Sequence, residues 1–237
     1  MVDEISIKAS QEEINNELRS LYQKNSSKLK KLVQDYKGAS CPHLLFIPSS
    51  YLRCKNKLLV VGQQTNGWDC SSLISCCSDI VVSLMKEYEE FNLGEKYVSS
   101  PFWQASIEFN QIINPDDKNK RAFLWSNLIK IDQDEHRPEP QLEEAVTSLN
   151  LLQSEIRIAK PNVVVCFTGP YYDERLRSSF PKIEFVPVNP NIATRQLAKL
   201  VHQRLPELSF RTYHPKYLKL SHKWCLLKSI GRQIISD

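Results

Sequence analysis

Lys57-Leu58-Leu59-Val60-Val61-Gly62-Gln63-Gln64-Thr65-Asn66-Gly67 passes from an apolar run straight into glycine and amides. A buried strand that stops this way, expected over 57–62, delivers backbone N–H groups and side-chain amides to one point. In open α/β sheets that point, beyond the carboxyl ends of the strands, is where ligands bind. Two other strand-like runs end alike, at Trp125-Ser126-Asn127 and at Thr212-Tyr213-His214-Pro215. Three polar strand ends point to one pocket, and Gln, Asn and His suit a nucleobase or a sugar better than a metal.

Outward from that stretch, strands and helices alternate. Helical spacing of Ile14, Leu18, Leu21 and Tyr22 behind a Ser10…Glu13 capping pattern predicts a helix over 10–36. Further helices are expected at 73–91, 102–113, 141–159 and 223–235, and strands at 123–131, 162–167, 185–188 and 208–213. Asn162-Val163-Val164-Val165-Cys166-Phe167 is apolar on both faces, as in a parallel sheet, and Pro187 confines 185–188 to an edge. The expected fold is α/β, a three-layer α/β/α sandwich around a central, mainly parallel sheet of four to five strands. We read residues 1–237 as a single domain, with 1–40 a helical extension and 55–235 the core.

Composition bounds the function. The chain has 237 residues, 41% of them hydrophobic and 24% charged, enough for a core without disulfides or metal. No apolar stretch approaches the roughly 18–20 residues of a membrane span. An acidic start, Met1-Val2-Asp3-Glu4, carries no signal pattern, so a cytoplasmic protein is expected, or a nuclear one in a eukaryote. Seven cysteines, an odd count without any C-x-x-C pair, argue for reduced thiols and no structural metal. The net charge of +4 is uneven: Arg211, Lys216, Lys219, Lys223, Lys228 and Arg232 lie within 22 residues, interleaved with Tyr213, Tyr217 and Trp224. That pattern fits phosphate contacts and base stacking, and equally a solvated helix face.

His214, turned by Pro215, suits stabilisation of charge on a departing or attacking oxygen, or is a surface histidine in a basic loop. Asn127 lies among apolar neighbours; its amide either matches a pyrimidine edge or caps a loop. The Gly62–Gly67 loop lacks the lysine of a phosphate-binding loop and does not fit G-x-G-x-x-G. Phe102-Trp103 behind Pro101 reads as core packing or as a wall on which a flipped base stacks.

Taken in order, these segments resemble the uracil-DNA glycosylase superfamily, nearest its bacterial and archaeal branches. Gly62-Gln63-Gln64-Thr65-Asn66-Gly67 sits where that family has the loop that positions the attacking water. Pro101-Phe102 looks like the segment that stacks on the base, and Ser126-Asn127-Leu128-Ile129-Lys130 followed by Arg137-Pro138 like the strand whose Asn reads it. Lys160-Pro161-Asn162-Val163-Val164-Val165 with Gly169 resembles the next strand, and His214-Pro215 matches the second catalytic motif. The resemblance implies catalysis by His214 with Gln64 and Asn66 holding a water, base binding by Asn127, Phe102 and Gln63, and DNA contacts by Lys216, Tyr217, Leu218, Lys219 and Lys223. Tyr217, Leu218 or Leu220, following His-Pro, would wedge into the space a flipped nucleotide leaves. It implies a monomer acting on duplex DNA with one base flipped, with no cofactor, no membrane and no metal.

The first motif diverges from that family. Gln64 stands where an acidic residue is common, Thr65 where Pro is frequent, and Lys216-Tyr217 where small residues follow His-Pro. Glutamine cannot take a proton from water, so catalysis would rest on stabilising the departing base. Three functions stay open on this evidence: excision of uracil or another damaged base, a catalytically inactive DNA- or nucleotide-binding protein on the same fold, and a pocket for a free base or nucleoside. No iron–sulfur cluster is expected, because cysteines at the matching positions are missing.

Overall fold

The computed structural model describes residues 4–68 and 79–235. Its centre is a six-stranded mixed sheet, not the four to five strands expected. The strands are β1 (Leu58–Gly62), β2 (Leu124–Asn127), β3 (Val163–Cys166), β4 (Glu184–Pro187), β5 (Leu197–Val201) and β6 (Leu208–Thr212), in spatial order β2-β1-β3-β6-β5-β4. The first four in that order run parallel; β5 is antiparallel to β6 and β4 antiparallel to β5. β1, β2 and β3 are buried at every position, which is why they read as unbroken apolar runs. β4, with its proline, lies at the sheet edge. β5 escaped the sequence reading because Lys199 interrupts Leu197-Ala198-Lys199-Leu200-Val201; that lysine is only partly buried and pairs with Glu207.

The helices are α1 (Glu4–Asp35), α2 (Ser49–Arg53), α3 (Ile80–Phe91), α4 (Pro101–Ile113), α5 (Pro140–Thr147), α6 (Leu151–Ala159), α7 (Asp173–Ser179), α8 (Pro215–Leu220) and α9 (Leu226–Ile235). α1 begins ahead of Ser10, so the Ser10…Glu13 pair lies inside the helix and does not cap it. Asp79 caps α3 through Val81 and Val82 N–H; expected helical residues 73–78 lie outside the described residues. The single helix expected over 141–159 is two, because Asn150 takes a left-handed conformation (φ 52°) and its amide donates to Ser148 O. No helix among the described residues is long and apolar enough to cross a membrane.

α1 is built into the core and is not merely appended. Leu18, Tyr22 and Leu29 are buried there, and the Asn15 side chain both donates to and accepts from the backbone of Ile47. The Tyr22 hydroxyl donates to Glu155 of α6 at 2.8 Å and accepts from Leu45 N–H. Glu155, wholly enclosed, also takes the Ser126 hydroxyl of β2 and the Lys130 ammonium. Burial pushes Lys130 below its usual value while Glu155 favours its charged form. Against the expectation of reduced thiols, Cys41 is disulfide-bonded, whereas Cys54, Cys166 and Cys225 are free; an odd total guarantees only one unpaired thiol.

Lys130→Met strands the Glu155 carboxylate without its cation, and is expected to cost about 3–5 kcal/mol. Lys130→Met combined with Glu155→Leu should recover a large part of that loss, as read from urea unfolding midpoints.

Candidate active site

β2, β1, β3 and β6 are parallel, so their carboxyl ends share one edge of the sheet. Strand order turns at β1, with β2 on one side and β3 on the other, and Gly62 sits at that turning point. Gly62 lies beside Asn127 in register, and Leu128 and Ile129 N–H continue the ladder to Gly62 O and Gln63 O. A methyl group on Gly62 would overlap Oδ1 of Asn127 and come within 3.4 Å of Phe102 Cε2. The glycine is required by this close approach, not by its backbone angles.

Phe102, in the first turn of α4 behind Pro101, faces His214 with ring centroids 5.9 Å apart and planes 24° from parallel. The structure therefore brings the amide, the aromatic ring and the imidazole together at one strand edge. Asn127 is enclosed. Its Oδ1 accepts from the Trp125 indole N–H at 3.1 Å, and its Nδ2 has no partner. An unpaired buried donor costs on the order of 1–3 kcal/mol, a cost a ligand acceptor would relieve.

His214 precedes α8, and its Nδ1 accepts from Lys216 N–H at 3.3 Å. A ring nitrogen that accepts carries no proton, so in the neutral ring Nε2 is the N–H donor. Burial, with a smaller contribution from Lys216, lowers its pKa from 6.5 to about 4. The imidazole is neutral at pH 7 and offers one hydrogen bond.

The first loop is held from beneath. Asp132, buried, accepts from Gly67, Trp68 and Glu135 N–H, so its oxygens organise the loop. Gln63 donates its Nε2 to Thr168 O at 2.8 Å, and Gly169 N–H reaches Thr212 O, tying the ends of β1, β3 and β6 together. Gln64 accepts through Oε1 from the Tyr172 hydroxyl at 2.7 Å, which commits that oxygen to the protein. Asn66 is exposed, and no described contact joins it to Asn127, Phe102 or His214.

Of the five positions expected to meet DNA, Lys216, Tyr217 and Lys219 are exposed and Lys223 partly so. Leu218 is wholly buried: α8 turns it into the core, so neither the wedge nor the DNA-contact role fits it, whereas Leu220 stands 72% exposed. Sequence reasoning missed Tyr171, which is 80% exposed beside Gly169, with the Arg195 guanidinium over its ring. Its signal was the Gly169-Pro170 turn, whose glycine has φ 72°; Tyr171 behind it is exposed while Tyr172 turns inward. Trp125 and the buried His43 were missed as well; their rings lie 4.2 Å apart.

A groove of about 730 Å³ lies to one side, between α4 and the connection from α8 to α9, lined by Gln104, Glu108, Lys219 and Trp224 among others. It holds none of the three convergent side chains. Among the described residues no group of three or more His, Cys, Asp or Glu is placed to hold a metal.

Gly62→Ala should push the Asn127 amide out of place, at a stability cost of about 1–3 kcal/mol, as read from calorimetric melts. His43 and His214 both have lowered pKa values, chiefly from burial. The unfolded chain takes up these protons below about pH 6.5 while the folded one does not, so stability should fall as pH drops from 6.5 toward 4. Melting temperatures across that range measure it. No protein-family model matches the chain, and no curated protein matches it either.

Proposed function

We propose that the chain is a DNA glycosylase that hydrolyses the N-glycosidic bond of uracil or another damaged base after base flipping, on a uracil-DNA-glycosylase-like three-layer sandwich. The observation that carries this reading is the convergence of Asn127, Phe102 and His214 at the turning point of a parallel sheet. Right-handed crossovers from β1 leftward to β2 and from β2 rightward to β3 would set α3–α4 and α5–α6 on opposite faces, which supports three layers.

In this reading the bond between C1′ and the base nitrogen breaks first, and its electron pair leaves with the base. The His214 Nε2–H donates to the base oxygen on which that charge accumulates. Phe102 stacks on the ring and Asn127 holds its edge. Water then adds to the oxocarbenium-like sugar at C1′ and releases its proton to solvent. Gln64 can hold that water through its NH₂ but cannot deprotonate it, so most of the rate comes from the leaving group. Lys216, Lys219, Tyr217 and Leu220 form one bank for the strand, and Tyr171 and Arg195 another.

A duplex carrying one uracil opposite guanine should break at that position in hot alkali after treatment with the protein. His214→Ala should slow this by about 10²–10³-fold. Because the donor is the neutral ring, the acid limb of the rate profile should lie near pH 4, not near 6.5. The engagement of Gln64 by Tyr172 favours a second reading, a DNA-binding protein without catalysis. Salt-sensitive binding of the same duplex without base release would establish that one.

A further inference from the structure

We infer that Trp125 is a positioning residue that fixes which end of the Asn127 amide a ligand meets, and so selects ring carbonyls over ring amines. The inference rests on the base-binding role proposed above. The indole N–H only donates, and it lies 3.1 Å from Oδ1 of Asn127. Turning the amide end for end would set its NH₂ against that N–H, two donors face to face. Gly62 bounds the amide on another side, with no room even for a methyl group.

The indole itself has nowhere to go. Its ring packs against His43 at 4.2 Å, Trp103 at 5.0 Å and Phe91 at 5.6 Å, and its own backbone N–H donates to the Tyr88 hydroxyl at 2.9 Å. The orientation of the amide is therefore decided one strand pleat away from where it acts, since residues two apart on β2 share a face. Nδ2 is left buried with unspent hydrogens. A base that brings a carbonyl oxygen satisfies them, and the second lone pair of Oδ1 remains for an adjacent ring N–H. A base that brings an exocyclic amine adds a donor where donors are already unpaired, a mismatch of about tenfold or more in affinity.

Two measurements test this. In ¹⁵N-tryptophan-labelled protein, the Trp125 indole resonance, assigned by its loss in Trp125→Phe, should move and exchange faster with solvent in Asn127→Ala. With duplexes carrying one uracil or one cytosine opposite guanine, the wild type should favour uracil in binding by about tenfold or more, and Trp125→Phe should narrow that ratio to about threefold or less. An indole resonance indifferent to Asn127→Ala, or a uracil preference unchanged in folded Trp125→Phe, overturns the lock even if uracil is excised. If Trp125→Phe does not fold, the Trp125 resonance is assigned by elimination from Trp68→Phe, Trp103→Phe and Trp224→Phe, and its response to Asn127→Ala decides alone. A visible lock in a protein that neither binds nor cleaves either duplex overturns the proposed function instead, and the choice of ligand with it.

Discussion

One carboxylate, Glu155, holds the molecule's parts in register. It is completely enclosed, and it accepts from Tyr22 of α1, from Ser126 of β2 and from Lys130 just beyond β2. A charge in that position is tolerable only because a cation and two hydroxyls replace the water it lost. The pair contributes little net stability over an apolar filling, but it penalises every arrangement in which one partner is misplaced. Ser126 is the residue before Asn127, so the packing of a helix from the start of the chain fixes where the candidate base reader stands. β2 cannot shift along β1 without breaking this cluster.

The site follows from strand direction. Four parallel strands end together, and the loops leaving them are stitched by Gln63 to Thr168, by Gly169 to Thr212 and by Asp132 to Gly67 and Trp68. These contacts use up groups that would otherwise look catalytic. The Asp132 oxygens are occupied by backbone N–H groups, and the Gln64 oxygen by Tyr172. Left uncommitted are the Asn127 NH₂ and the Nε2–H of a neutral His214, both donors. Donors beside an aromatic ring at one strand edge suit a carbonyl-rich ring that gathers negative charge.

Much of this was legible along the chain. The apolar runs at 57–61 and 162–167, each followed by polar residues, located buried parallel strands, and the turn residues behind them located the strand ends that meet at one edge. Local patterns failed where a distant partner decided the outcome. Leu218 looked like part of a basic loop until α8 turned it inward, and Leu197–Val201 was hidden by one lysine that finds Glu207. α1 looked like an extension because nothing in its own periodicity names Glu155 as the partner of Tyr22.

By itself, then, the sequence determined the strand and helix periods, the polar strand ends and the candidate residues Asn127, Phe102 and His214, because periodicity and turn chemistry are local properties. Only the tertiary structure decided which atoms of Asn127 and His214 are engaged by the protein and which are left without a partner. Trp125 sets the amide, Lys216 sets the imidazole tautomer, and Gly62 makes room for Asn127 from a strand more than sixty residues earlier. Hydrogen-bond direction depends on which donor meets which acceptor, and those meetings are created by folding.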